Sequence, residues 1–145
     1  MDTHPESVVK IERETQFIVN MSAFMKQDFA SIGAAMRSDV VMELPGSSRL
    51  AGSYQGFEEV GLCIFGLRQV LGPELKGISF HHEGDQMIVR HEILVRGPQH
   101  EVEMGLRVRV RYDDAGKVRS LSVEPDDPAL FDYVLDTRPA DQSTA

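Results

Sequence analysis

The sequence predicts an α+β fold: a cone-shaped α+β barrel, in which a curved mixed or antiparallel sheet and three helices from the N-terminal half enclose an apolar pocket. Three observations carry this expectation. Apolar residues recur at helical spacing early in the chain, a lone strand breaks at Pro45-Gly46, and the second half alternates apolar with polar residues. Helices gathered on one face of a sheet are a standard way to bury both elements. At 145 residues the chain fits one domain with a real hydrophobic core. We expect a single domain over residues 1–136, its core starting near residue 6, and a disordered polar tail over 137–145.

Residues 1–5 read as a short disordered lead, with Pro5 suited to a first helical turn. From Glu6 to about Lys26, Val8, Ile11, Ile18 and Met25 form one apolar stripe, and Phe17, Met21 and Phe24 a second beside it. Arg13, Gln16 and Asn20 are expected to lie away from that face. Asp28 reads as the N-cap of a second helix carrying Phe29, Ile32 and Met36 and ending near Arg37-Ser38. Val40 to Leu44 is a strand closed by Pro45-Gly46. A third helix runs from Phe57 to about Leu71, with Glu58 and Glu59 at its positive end, and stops at Gly72-Pro73. Val60, Ile64, Leu67 and Leu71 are its buried stripe.

Period two governs the second half of the chain. Ile78, Phe80 and His82 share a face, as do Met87, Val89, His91, Ile93 and Val95 on the next strand. After a Gly97-Pro98 turn, Val102, Met104, Leu106, Val108, Val110 and Tyr112 point inward, while Glu101, Glu103, Arg107, Arg109 and Arg111 point outward. Asp113 to Gly116 is a hairpin turn into Lys117–Glu124. A last helix from Asp127 to about Leu135 packs Leu130, Phe131 and Val134 on the body.

Composition narrows the partners. A formal charge of −8 argues against nucleic acid and anionic membranes, which need basic surfaces. No apolar run approaches the ~20 residues that span a bilayer. The N-terminus lacks an export signal, so a cytoplasmic location is expected. The single cysteine, Cys63, excludes an internal disulfide framework and sits in an apolar helical run as a buried, inert thiol.

The stretch Pro45-Gly46, Leu50-Ala51-Gly52, Tyr54 and Gly56 resembles the SnoaL-like branch of the nuclear-transport-factor-2-like superfamily. Arg96-Gly97, Gly116-Lys117-Val118 and Asp126 to Asp132 resemble the branch's later landmarks. The resemblance covers about residues 10–136 and implies the cone-shaped fold of ketosteroid isomerases and polyketide cyclases, and a homodimer formed through the sheet face. It implies no single activity. Met42 and Glu43 stand where the branch often has an aromatic and a His. By that resemblance Leu44 and Val108 occupy the positions of the isomerases' base and later-strand acid, and Phe17 is the aromatic nearest their first-helix tyrosine, so all three polar roles are empty and the residues become apolar lining. Arg107, Arg109 and Arg111, facing outward, offer no epoxide-hydrolase site.

His91 is the leading candidate for chemistry. On an apolar inward face, a neutral imidazole serves as general base or ligand partner, or else is a satisfied core histidine. Glu43 is either a secondary base at the rim or a surface carboxylate; Tyr54 is a hydrogen-bond donor to ligand or a packing residue. Met21, Met42, Met87 and Met104 line an adaptable pocket or fill the core. His82 belongs at the mouth and Tyr112 at the rim or closed end. His81 and His82 point to opposite faces and make no metal pair, and no cofactor is implied. The expected ligand is a small apolar or partly oxygenated molecule. An enzyme of this kind is a cofactor-free isomerase, cyclase or lyase working by proton transfer; the alternative is a non-catalytic dimeric ligand-binding or interaction module.

Overall fold

The computed structural model describes residues 6–26, 30, 35–72, 75–96 and 101–137. The elements run α1 (Glu6–Lys26), β1 (Met36–Leu44), β2 (Gly52–Gln55), α2 (Gly56–Leu71), β3 (Leu75–Glu83), β4 (Gln86–Arg96), β5 (Glu101–Tyr112), β6 (Val118–Pro125) and α3 (Pro128–Thr137). The strands form one mixed sheet in the order β2-β1-β6-β5-β4-β3. β1 runs parallel to β6, and every other pairing is antiparallel. The fold class is therefore α+β as expected, but the sheet is open: β2 and β3 are its edges, and no closed barrel forms among the described residues.

Period two in the sequence becomes one-sided burial in the sheet. Met104, Leu106, Val110 and Tyr112 of β5 are buried on the inner face, whereas Glu101, Glu103 and Arg107 are exposed. On α2, Val60, Ile64, Leu67 and Leu71 are buried as the spacing predicts, joined by Cys63 and Val70. Side chains such as Val60 and Leu135, wholly removed from solvent, each contribute about 1.5–3 kcal/mol of burial. The hairpin after β5 is fixed by Asp113, whose Oδ1 accepts from the amides of Ala115 and Lys117, both at 2.9 Å.

The α1 face is a correction. Ile11 and Ile18, expected to be buried, are 62% and 54% exposed. The helix buries the adjacent stripe of Phe17, Asn20 and Ala23, with Arg13 and Gln16 half-buried along it. A helix can press only one side on a sheet, and here the chosen side is anchored by Phe17 and carries polar residues. The second expected helix and the Gly97-Pro98 turn fall largely outside the described residues, as do residues 1–5 and 138–145. Met36, Arg37 and Ser38 belong to β1 rather than to a helix end, and Thr137 closes α3 rather than opening a tail.

The segment after Pro45 is docked on α3. Asp132 Oδ2 accepts from the Ser47 amide at 3.1 Å and from its hydroxyl at 3.2 Å. Asp136 accepts from the Arg49 amide at 2.8 Å, and the Leu135 carbonyl from Arg49 Nε at 3.0 Å. Gly46 has φ +100°, and a Cβ there would overlap the Asp132 carboxylate. Both conditions require glycine. The helix itself is capped by Asp127, whose carboxylate accepts from the Leu130 amide at 3.1 Å.

Candidate functional site

His91 lies mid-strand in β4, between Ile78 of β3 and Leu106 of β5. The parity that buries Met87 and Val89 turns its ring inward, and only 8% of the residue is exposed. Nδ1 lies 3.3 Å from the Val89 carbonyl oxygen. A carbonyl only accepts, so Nδ1 carries the proton and Nε2 keeps a lone pair. Burial holds the imidazole below its ordinary value, the Val89 bond partly offsets this, and the positive charge of Arg68 lowers it further. At neutral pH the ring is a neutral acceptor. Phe17 of α1 stacks obliquely on it at 5.9 Å, and Phe80 meets Phe17 edge-on at 6.3 Å.

Two chambers border this ring. The first, about 60 Å³, lies under α1 between Phe17, Met42, Val110, Tyr112 and Leu121. Its polar edge is Gln16 and Asn20, joined by a 3.0 Å bond from Gln16 Nε2 to Asn20 Oδ1. The second, about 70 Å³, opens between α2 and the sheet and is bordered by Leu67, Arg68, Ile93 and Leu106. Met21, Ile64, Val108 and His91 belong to both walls.

Of the residues expected at the site, Phe17, Met21, Met42, His91, Val108 and Tyr112 come together here. Burial raises the Tyr112 hydroxyl to about 12, with Arg13, stacked 4.4 Å above its ring, acting the other way. Leu44, Met87 and Met104 are buried in the core and border neither chamber. His82 sits at the rim, its Nε2 2.7 Å from Glu14 Oε2 of α1. Glu43 is exposed on the outer face, where it accepts from the Ser53 hydroxyl. Tyr54, on β2, donates to the carbonyl of Leu50 in the preceding loop. Neither Glu43 nor Tyr54 reaches a chamber, because strand parity turns the first outward and a local bond holds the second. Cys63 is buried, and burial raises its thiol to about 11.

Sequence reasoning missed Gln16, Asn20 and Arg68. Polar residues on a helix read as its solvent face, and only the packing of α1 and α2 turns these toward the cavity. Among the described residues no three His, Cys, Asp or Glu side chains group to hold a metal ion, and no described helix is long and apolar enough to cross a membrane.

Solved structures share this arrangement of helices over one face of a mixed sheet. An NTF2-like protein from Burkholderia xenovorans LB400 superposes with a TM-score of 0.69 at 16% identity, covering 86% of this chain and 97% of its own. A SnoaL-like polyketide cyclase from Jannaschia sp. CCS1 gives 0.58 at 15% identity, covering 86% and 94%. TerC co-crystallised with polyporic acid gives 0.63 at 19% identity, covering 83% and 95%. The chain adopts the nuclear-transport-factor-2-like fold. No protein-family model matches the sequence, and no curated protein matches it.

Proposed function

We propose that this protein takes a small apolar or partly oxygenated molecule between α1, α2 and the sheet, and acts on it as a cofactor-free isomerase, cyclase or lyase. The observation that carries this reading is His91: a buried neutral imidazole that lines both chambers and whose Nε2 keeps its lone pair. A general base must be unprotonated at working pH and within hydrogen-bond reach of the proton it takes. Gln16 and Asn20 supply neutral hydrogen-bonding groups at the opposite edge, suited to a hydroxyl or carbonyl. TerC, of the same fold, was crystallised with polyporic acid, which supports a small-molecule role. Nucleic acid and membrane are not the partners in this reading, given the formal charge of −8, and the protein works in the cytoplasm.

Chamber size restricts the ligand. Volumes of about 60 and 70 Å³ are smaller than the ~150 Å³ cavity that admits benzene. A bulky ligand therefore requires α1 to move outward. A panel of steroids, terpenoids and polyketides, screened by thermal stabilisation of the wild type and His91→Ala, tests the reading. Stabilisation of the wild type by compounds of one or two rings, lost or weakened in the variant, supports it. No stabilisation by any compound sinks it.

The small chambers also favour a second reading, a non-catalytic homodimeric module with a nearly packed cone. Its dimer surface is the outer sheet face, with its Arg109–Glu124 and Arg90–Asp126 pairs. Sedimentation measures the dimer, and turnover of any stabilising compound separates the two readings.

A further inference from the structure

We propose that Arg68 makes the second chamber a binding site for the carboxylate of a small apolar acid. Arg68 lies in the last turn of α2 and is half-buried at the chamber wall. Its Nε is fully buried without a hydrogen-bond partner. Its guanidinium takes part in no ion pair among the described residues, whereas Arg37, Arg90, Arg109 and Arg119 each meet a carboxylate. A position near the negative end of α2 accounts for a positive charge there. It does not account for a buried N–H left without an acceptor.

The ligand class is set by what would satisfy that group. A guanidinium presents N–H donors in a planar fork that a carboxylate matches with two parallel bonds. A neutral carbonyl would leave the charge uncompensated. The rest of the chamber is apolar, with Met21, Ile64, Leu106 and Val108 in its wall, so the body of the acid is hydrocarbon. At about 70 Å³, under half of the ~150 Å³ cavity that admits benzene, the chamber holds only the apolar end of a short branched acid, whose carboxylate then lies at the Arg68 wall. Bound this way, the acid lies beside His91, which shares the same wall. This inference rests on the proposal that the cavity takes a ligand, and names the ligand's chemistry.

Isovalerate and its neutral counterpart isovaleramide are the probes, followed by NMR of the Arg68 Nε–H and the His91 ring protons at pH 7.5. Isovalerate is expected to bind about tenfold tighter than the amide, as a charge-assisted pair should. It should shift the Arg68 Nε–H signal and raise the His91 midpoint by cancelling the neighbouring charge. Arg68→Met should bring both probes to equal affinity and raise the His91 midpoint without ligand, with Arg68→Lys restoring part of the preference. Equal affinity of the two probes in the wild type, with His91 signals moving for both, overturns the carboxylate site but leaves the cavity reading. No movement of His91 with either probe overturns both. Should Arg68→Met fail to fold, the acid-against-amide comparison in the unmodified protein still decides.

Discussion

The Nδ1 atom of His91 lies 3.3 Å from the carbonyl oxygen of Val89, two residues earlier on the same strand. This bond fixes the tautomer, leaves Nε2 as the free atom of the ring, and offsets only part of the cost of burying a protonated imidazole. The unfolded chain therefore takes up a proton near the ordinary value of 6.5, while the folded chain resists it. Where the unfolded state binds more protons, stability rises with pH. Stability should be level above pH 7 and fall as pH drops below about 6.5, by up to about 1.4 kcal/mol per pH unit. Urea unfolding from pH 5 to 8 measures this, and His91→Gln should flatten the His91 share of the slope.

Two glycines illustrate how similar crowding has different consequences. At Gly46 an added Cβ meets Asp132, which is tied to Ser47 by two hydrogen bonds, and the backbone sits at φ +100°. Gly46→Ala should therefore cost about 2 kcal/mol or more, as left-handed strain adds to the clash. At Gly105 a Cβ meets the Arg90 and Asp126 side chains, whose ends are exposed and can swing away. Gly105→Ala should break that ion pair yet lower Tm far less than Gly46→Ala. Thermal unfolding of the two variants side by side is the check, and the reverse order would contradict it.

The sequence exposes these features unevenly. The inward face of β5, Met104 to Tyr112, is legible because a sheet buried on one side enforces alternation. The stripe of α2 is legible because Val60, Ile64, Leu67 and Leu71 recur at helical spacing, and Leu62, off that stripe, stays exposed. On α1 two apolar stripes adjoin, and periodicity does not say which meets the sheet. Ile11 and Ile18 lose to the stripe with Phe17, and Gln16 and Asn20 come to the cavity with it. Strand parity alone is enough to find His91. It is no help with Arg68, since a missing partner is a tertiary fact. Glu43 and Tyr54 are suggested by position in a resembling stretch, but Glu43 bonds Ser53, Tyr54 bonds Leu50, and neither borders a chamber.

Cys63 offers a clean probe of local opening. Its side chain is buried, and burial raises the thiol to about 11, so both access and thiolate are scarce in the folded state. A thiol-reactive disulfide at pH 8 should modify native protein at a rate limited by unfolding, and denatured protein within the mixing time. Rapid reaction of the native protein would mean that α2 opens from the sheet far more often than its packing implies.

The last prediction concerns how a ligand reaches His91. Over the first chamber, α1 is tied to the sheet at its rim by Glu14 to His82 at 2.7 Å and by Arg13 Nη1 to the Gly84 carbonyl at 3.0 Å. The Arg13 guanidinium also stacks on Tyr112. The His82 ring is largely covered and its Nδ1 has no partner, whereas Glu14 is partly exposed, so the Glu14 contact is the ring's one described polar bond. Removing it leaves the two Arg13 contacts and Phe17 to hold that end of α1. His82→Ala should speed amide hydrogen exchange along α1 several-fold while exchange in β4 and β5 stays as it was. If α1 movement admits ligand, the same variant should raise association and dissociation rates together, with little change in affinity. Exchange that accelerates equally in α1 and β5 would instead mean that His82 stabilises the whole domain, and that the rim contact is not a latch.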